Sequence, residues 1–286
     1  MATAKISQPL TGDKLYQRRA REALPLLVRQ ASPAEPTTYE NLAAELGIPN
    51  PRNLNYVLGS IGQSMIIAAD ELGLDVPPIQ CLVINKATGL PGEGISEFFG
   101  SLADYTALSR KQRRQVVDAE LARIYAFSRW ADVLRFYGLE PLAPVSRRLV
   151  EEARGGRRGG ESEAHKKLKA YVADNPQTVG LPQSAGPGEQ EYALPSGDFI
   201  DVFFQHRGLH VGVEVKPSSS DDIDITRGLY QCIKYQAVLE AVQGATGQAK
   251  NVRSLLVLAG TLPRALVPLK NVLGVEVIEG VVTPVA

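Results

Sequence analysis

Residues 196–220, SGDFIDVFFQHRGLHVGVEVKPSSS, decide the architecture of the C-terminal half. Two apolar runs, FIDVFFQ and LHVGVEVKP, flank Arg207-Gly208 and predict two strands joined by a hairpin turn. Asp201 interrupts the first run, and Glu214 and Lys216 interrupt the second. Residues two apart in a strand share a face. Glu214 and Lys216 are therefore neighbours, with Val213 and Val215 turned the other way, and a hairpin brings Asp201 beside them.

An acid inside a buried strand is costly unless it is paired or bound to a metal. Two acids brought together repel, and a divalent cation relieves that repulsion. Magnesium takes such hard oxygen ligands and completes its shell with water and substrate phosphate. Lys216 would then position an attacking water or stabilise charge on a transferring phosphoryl group. A buried Asp–Lys or Glu–Lys pair at a sheet edge accounts for the same residue types.

Working outward, SEAHKKLKAYVADNP predicts a helix before the hairpin. A second helix around 226–243, the apolar run VRSLLVLAG and a short edge strand in VLGVEVIEG follow it. The order α-β-β-α-β describes an α/β core. Gln231 and Tyr235 lie four residues apart, on one face of the second helix. Asp198 rivals Asp201, but three positions separate them, so Asp198 is expected at the turn; Glu191 is a further outer acid. His206 and His210 flank the hairpin turn and are expected at the surface. Asp221, Asp222 and Asp224 suit the start of the following helix, where Arg227 is placed to touch phosphate.

This region resembles the PD-(D/E)XK nuclease superfamily, especially its RecB-type branch. The family's metal-binding aspartate matches Asp201 in GDFIDV. Its E-x-K motif matches Glu214-Val215-Lys216, and its Q-x-x-x-Y helix motif matches Gln231 to Tyr235. Glu163 matches the acid often found on the helix before the sheet. No proline–aspartate pair stands before the second strand, where SGD occupies the neighbourhood. Over residues 160–260 the resemblance implies a restriction-endonuclease-like α/β core that hydrolyses DNA phosphodiester bonds with magnesium or manganese. The metal would fall to Asp201, Glu214, Val215 and Glu163, and catalysis to Asp201, Glu214, Lys216, Gln231, Tyr235 and Glu163.

In the first half, Thr37 or Thr38 caps a helix in YENLAAELGI that Gly47 ends, and NLNYVLGSIGQSMIIAADELG predicts a second. QCLVINK then reads as a strand before the turn ATGLPGEG. Residues 13–30 suit a helix interrupted by Pro25, and 103–137 are helical, with Trp130 as a core anchor. The stretch from Thr38-Tyr39 through Gly47-Ile48-Pro49, and Pro78-Ile79-Gln80-Cys81-Leu82-Val83, resembles the DNA-binding domain of alkylguanine DNA alkyltransferases and alkyltransferase-like proteins. Ile79 takes the reactive cysteine's place, so alkyl transfer is not expected and Cys81 reads as an inert packed thiol. The resemblance implies winged-helix-like DNA binding through Arg52, Asn53 and Asn55, with Tyr39 near the backbone. A small packing module with polar surface residues is the alternative.

The expected organisation is a winged-helix-like domain over 1–100, a helical connector over 101–150, a Gly/Arg-rich linker over 151–162 and the nuclease-like domain over 163–286. With 31 basic and 31 acidic residues, bulk charge carries no nucleic-acid signal. Two cysteines in separate regions offer no disulfide framework, and the polar N-terminus lacks a signal-peptide core; both favour the cytoplasm. No apolar stretch is long enough to predict a membrane span. A two-domain DNA endonuclease in restriction or defence is the reading these features favour. A repair or structure-specific nuclease, or a non-catalytic DNA-binding or assembly protein, is the alternative, with defence or repair proteins as partners. Dimerisation would explain a double-strand cut, whereas a single site would nick.

Overall fold

The computed structural model describes residues 7–99, 105–142, 162–247 and 249–283. The chain divides into two compact units, Met1–Pro144 and Val145–Ala286. The expected linker lies outside the described residues except for Ser162.

The first unit contains α1 (Leu15–Ala31), α2 (Tyr39–Glu45), α3 (Leu54–Leu72), α4 (Arg110–Ala126) and α5 (Trp130–Phe136). A short parallel pair, β1 (Thr37–Thr38) and β2 (Val83–Ile84), joins the two ends of its middle segment. Thr38 accepts a hydrogen bond from the Asn41 N–H at 3.1 Å and so caps α2. Gly47, at φ +63°, follows the end of that helix. Pro25 does not interrupt α1, which continues through it. Ala23, Leu24 and Leu27 are fully buried around that point, and their packing outweighs the backbone hydrogen bond a proline removes.

Two further expectations for this unit change. Residues 110–136, read as a separate connector, share one core with the residues before them: Val117, Leu121, Ile124, Trp130 and Leu134 pack in the cluster that holds Leu24, Ile61 and Leu82. QCLVINK forms a strand only at Val83–Ile84, because Ile79–Leu82 winds into a 3-10 turn after Pro77-Pro78. Trp130 is a core anchor, 7% exposed, and its indole N–H donates to the Ile124 carbonyl at 3.1 Å. Trp130→Ala is expected to destabilise this unit by about 3–5 kcal/mol, measured as a drop in the urea midpoint.

The second unit runs α6 (Glu163–Asp174), β3 (Glu189–Ala193), β4 (Phe199–His206), β5 (Leu209–Lys216), α7 (Asp222–Ala245), β6 (Val252–Leu258), α8 (Val267–Leu273) and β7 (Glu276–Ile278). Its mixed sheet has the order β3-β4-β5-β6-β7, antiparallel from β3 to β5 and parallel from β5 to β7. Val211, Val213 and Val215 of β5, with Val202 and Phe204 of β4, pack on Leu168 and Val172 of α6. On the opposite face Ile200 and Phe203 pack on Tyr235 and Leu239 of α7. Both faces of the central strands are thus covered, which makes any charge there expensive. Edge strand β3, EQEYA, is mostly exposed and carries no apolar alternation, so its sequence does not signal a strand. Among the described residues, no helix is long and apolar enough to cross a membrane.

Candidate active site

The pairing of β4 with β5 runs from His206↔Leu209 to Val202↔Val213 and stops there. Asp201 is not paired to Glu214 across the strands; instead its Oδ2 accepts the Val215 N–H at 2.9 Å. On its other side the β3–β4 register passes over Glu191 and Asp201, and Glu191 adopts φ +54°. This break explains why Ile200 faces α7 while Val202, two residues on, faces α6. The carboxylate of Asp201 therefore takes the place of a ladder partner at the point where the two strands part.

Asp201, Glu214 and Lys216 come together there. Glu214 is 6% exposed. Its Oε1 accepts from Lys216 Nζ at 2.7 Å, and its Oε2 lies 2.8 Å from the Tyr235 hydroxyl. The same hydroxyl lies 2.8 Å from the Phe199 carbonyl. One phenolic proton serves one acceptor, so a proton on Glu214 satisfies the second contact. Burial, then the nearby charge of Asp201, pushes the Glu214 carboxyl above the usual range, against the pull of Lys216 and Tyr235. Burial also works to raise Asp201, but the hydrogen bonds from His165 and the Val215 N–H outweigh it and hold that carboxyl low. For Lys216 burial favours the neutral amine, yet Glu214 and Asp201 outweigh it and keep the ammonium form.

Helix α7 reaches this cluster because it carries glycine where it crosses β5. A Cβ on Gly228 would lie 2.9 Å from Leu256 Cδ1, 3.2 Å from Lys216 Cε and 3.5 Å from Glu214 Cγ. Cys232, buried on the same helix, has its thiol pushed up by burial and then by Glu214, which makes it inert.

From α6 it is His165 that meets the site, with Nε2 3.3 Å from Asp201 Oδ1. Glu163, the acid expected there from the resemblance, lies on the exposed first turn of α6. The spacing does distinguish them. His165 stands three and seven residues before Leu168 and Val172, the buried stripe of α6, whereas Glu163 lies on another side of the helix.

Other expected residues fall as follows. Gln231 is partly buried one turn before Tyr235 and takes no part in the hydrogen bonds that join Asp201, Glu214, Lys216 and Tyr235. The Val215 side chain is buried on the α6 face, so Val215 meets the site through its backbone. Asp198 sits in the turn before β4 and pairs with Lys234 at 2.7 Å. Glu191 pairs with Lys169 at 2.6 Å instead of supporting Asp201. Asp221 accepts from the Asp224 N–H at 2.8 Å and caps α7, and Arg227 pairs with Asp224 at 2.9 Å. His210 is not a surface histidine. Both ring nitrogens are buried with no hydrogen-bond partner among the described residues, the ring packs edge-on against Phe203, and burial lowers its pKa.

In the first unit, Arg52, Asn53 and Asn55 are exposed around the start of α3. Tyr39 is drawn inward, its hydroxyl accepting the Gly92 N–H at 3.0 Å. Cys81 is fully buried, and burial pushes its thiol far up, in keeping with an inert role.

Among the described residues, no three His, Cys, Asp or Glu side chains gather closely enough to form a metal cage by themselves. Magnesium does not demand one, since it uses one or two carboxylates and keeps several waters. Burial, then the charge of Asp201, pushes Glu214 toward its protonated form, and two neighbouring carboxylates are the kind of donor a hard divalent cation takes. No family model, curated protein or solved structure matches this chain.

Proposed function

We propose that the second unit is a metal-dependent deoxyribonuclease with a restriction-endonuclease-like core, and that the first is a winged-helix-like DNA-binding domain. The observation that carries this reading is the convergence of Asp201, Glu214 and Lys216 from adjacent strands, with Glu214 also held by Tyr235 of α7. A buried ion pair at a sheet edge needs one acid and one base; here two acids share the space of one lysine.

Magnesium or manganese, held by Asp201, Glu214 and the backbone of Val215, would supply charge neutralisation and a more acidic bound water. The chain's own groups do the rest. Lys216, kept protonated by its two acid neighbours, offers its ammonium to negative charge growing on the phosphoryl oxygens. Tyr235 and the Val215 N–H fix the orientation of the two carboxylates. His165 faces Asp201 and helps to keep it ionised. Exposed Arg52, Asn53 and Asn55, with Tyr39 behind them, are the proposed DNA contacts of the first unit, and Arg227 is one in the second.

Incubation of linear, circular, single-stranded and modified DNA with magnesium, alongside Glu214→Ala, tests the assignment. Cleavage by the wild type alone supports it, and cleavage unaffected by the substitution rejects it. Both Glu214 oxygens are already held within the protein, by Lys216 and Tyr235, which favours one second reading, a DNA-binding protein with a nuclease-like fold that does not cut. Binding without cleavage in the wild type would select that reading. Restriction or defence against foreign DNA is the proposed setting.

Gly228 is a positioning residue on this reading. Gly228→Ala improves helix propensity by about 0.8–1 kcal/mol, but its methyl presses on Leu256 and Lys216. The helical circular dichroism is expected to stay unchanged while cleavage slows by about 10- to 100-fold. The pH–rate profile should move as well, because the methyl displaces the ammonium from Glu214.

A further inference from the structure

Glu191 of β3 and Asp201 of β4 stand opposite each other at a gap in the strand ladder. Gln190 pairs with Val202 and Tyr192 with Ile200, so the register is the same on both sides of that gap. Ile200 faces α7 and Val202 faces α6, which means that β4 turns over at Asp201. Strand β3 turns with it, since Tyr192 follows Ile200 onto the α7 face. Glu191 makes this turn with φ +54°. The left-handed region crowds a Cβ, whereas glycine enters it freely. A glutamate stays there only if its surroundings hold it, and strain held in this way gathers at functional sites.

The hold comes from α6. Lys169 is 4% exposed, and its Nζ lies 2.6 Å from Glu191 Oε1. Taking an ammonium out of water is costly without a partner, so a lysine buried this deeply fixes the carboxylate that meets it. His165 stands four residues before Lys169, on the same face of the helix, with Nε2 3.3 Å from Asp201 Oδ1. Two successive turns of α6 thus grip the two residues that face each other across the gap, Lys169 on β3 and His165 on β4. The Glu191 carboxylate turns to Lys169, so what reaches Asp201 is the direction of the backbone. With β4 out of the ladder at this point, Asp201 Oδ2 accepts the Val215 N–H at 2.9 Å.

We propose that Lys169 is a positioning residue for Asp201. By holding Glu191 in its left-handed conformation it keeps both strands turned over at the gap. The Asp201 carboxylate then stays on the Val215 N–H, beside Glu214 and Lys216. The bearing of Lys169 on cleavage rests on the nuclease reading; its bearing on Asp201 does not.

Amide hydrogen exchange at the Val215 N–H, followed by nuclear magnetic resonance on the metal-free full chain, tests this. The Val213 N–H, opposite Val202 where the ladder is made, is the reference. Lys169→Met keeps an apolar stem and removes the ammonium, and Val215 exchange is expected to quicken about tenfold relative to Val213. Adding Glu191→Gly, which takes the same φ without strain, should return Val215 to about the wild-type rate. A merely structural ion pair gives no such rescue, because glycine restores no contact. Should Lys169→Met fail to fold, Glu191→Gln decides by the same comparison, since that side chain is mostly exposed and its charge is removed without altering the core. DNA cleavage should fall in Lys169→Met and recover in the double variant. An unmoved Val215, equal quickening of both amides, or no rescue by glycine overturns the proposal. So does undiminished cleavage by a Lys169→Met chain whose Val215 amide has loosened. Absence of cleavage by the wild type refutes the nuclease reading alone, because the exchange needs neither DNA nor metal.

Discussion

Lys216→Ala is expected to reduce DNA cleavage by about 10²- to 10³-fold, the usual effect of removing one donor that stabilises transition-state charge. The expectation rests on where the ammonium sits. It is 2.7 Å from Glu214 Oε1 and close enough to Asp201 for both acids to hold it protonated. Lys216→Arg preserves the charge but carries it on a broad planar fork, and α7 approaches Lys216 too closely at Gly228 to make room for one. Arginine is therefore expected to restore little. Single-turnover rates on one defined substrate, with DNA affinity measured separately, would show whether the loss lies in chemistry. Equal losses in binding and rate would place Lys216 in substrate docking and remove it from the reaction.

Titration with magnesium or manganese should stabilise the second unit, because a ligand that binds only the folded state adds stability in proportion to its excess over Kd. At a hundredfold excess that is about 2.7 kcal/mol, or roughly 5–10 °C in melting temperature for a unit of this size. Asp201→Asn and Glu214→Gln should abolish the shift. Its pH dependence follows from Glu214. The folded-state pKa of that carboxyl is raised above 4.5, so its protonated form contributes stability below that value, and the contribution is lost as pH rises through the folded pKa. A bound cation replaces the proton, so the metal-induced shift should grow as pH rises and shrink as it falls. Asp201 works in the opposite sense. Its pKa is lowered from 3.8, so it favours the folded state above that pH and loses this effect as pH falls through its own lowered value. A melting temperature indifferent to either cation at every pH would count against the metal site.

The hairpin, the shared face of Glu214 and Lys216 and the helical pair Gln231–Tyr235 were legible in the chain because strand and helix periods are local properties. The capping of α2 by Thr38 and the turn position of Asp198 were legible for the same reason. Other features depend on residues far apart in the chain. Asp201 leaves the strand ladder to accept the Val215 N–H, and no alternation pattern encodes such a break. The choice of His165 over Glu163 depends on which stripe of α6 meets the sheet. Of the helical pair, Tyr235 is buried and takes the contact with Glu214, whereas Gln231, one turn earlier, is only partly buried, a difference that their shared face does not encode.

The sequence by itself determined the kinds of group available and their local order: two acids and a lysine on consecutive apolar strands, followed by a helix bearing a tyrosine. Tertiary structure alone decided that both acids share one lysine, that an imidazole faces the first of them, and that a glutamine in the other unit is buried with no partner for its amide among the described residues. The reason is physical. Periodicity acts over a few residues, whereas desolvation and charge coupling depend on what packs around a group from every direction.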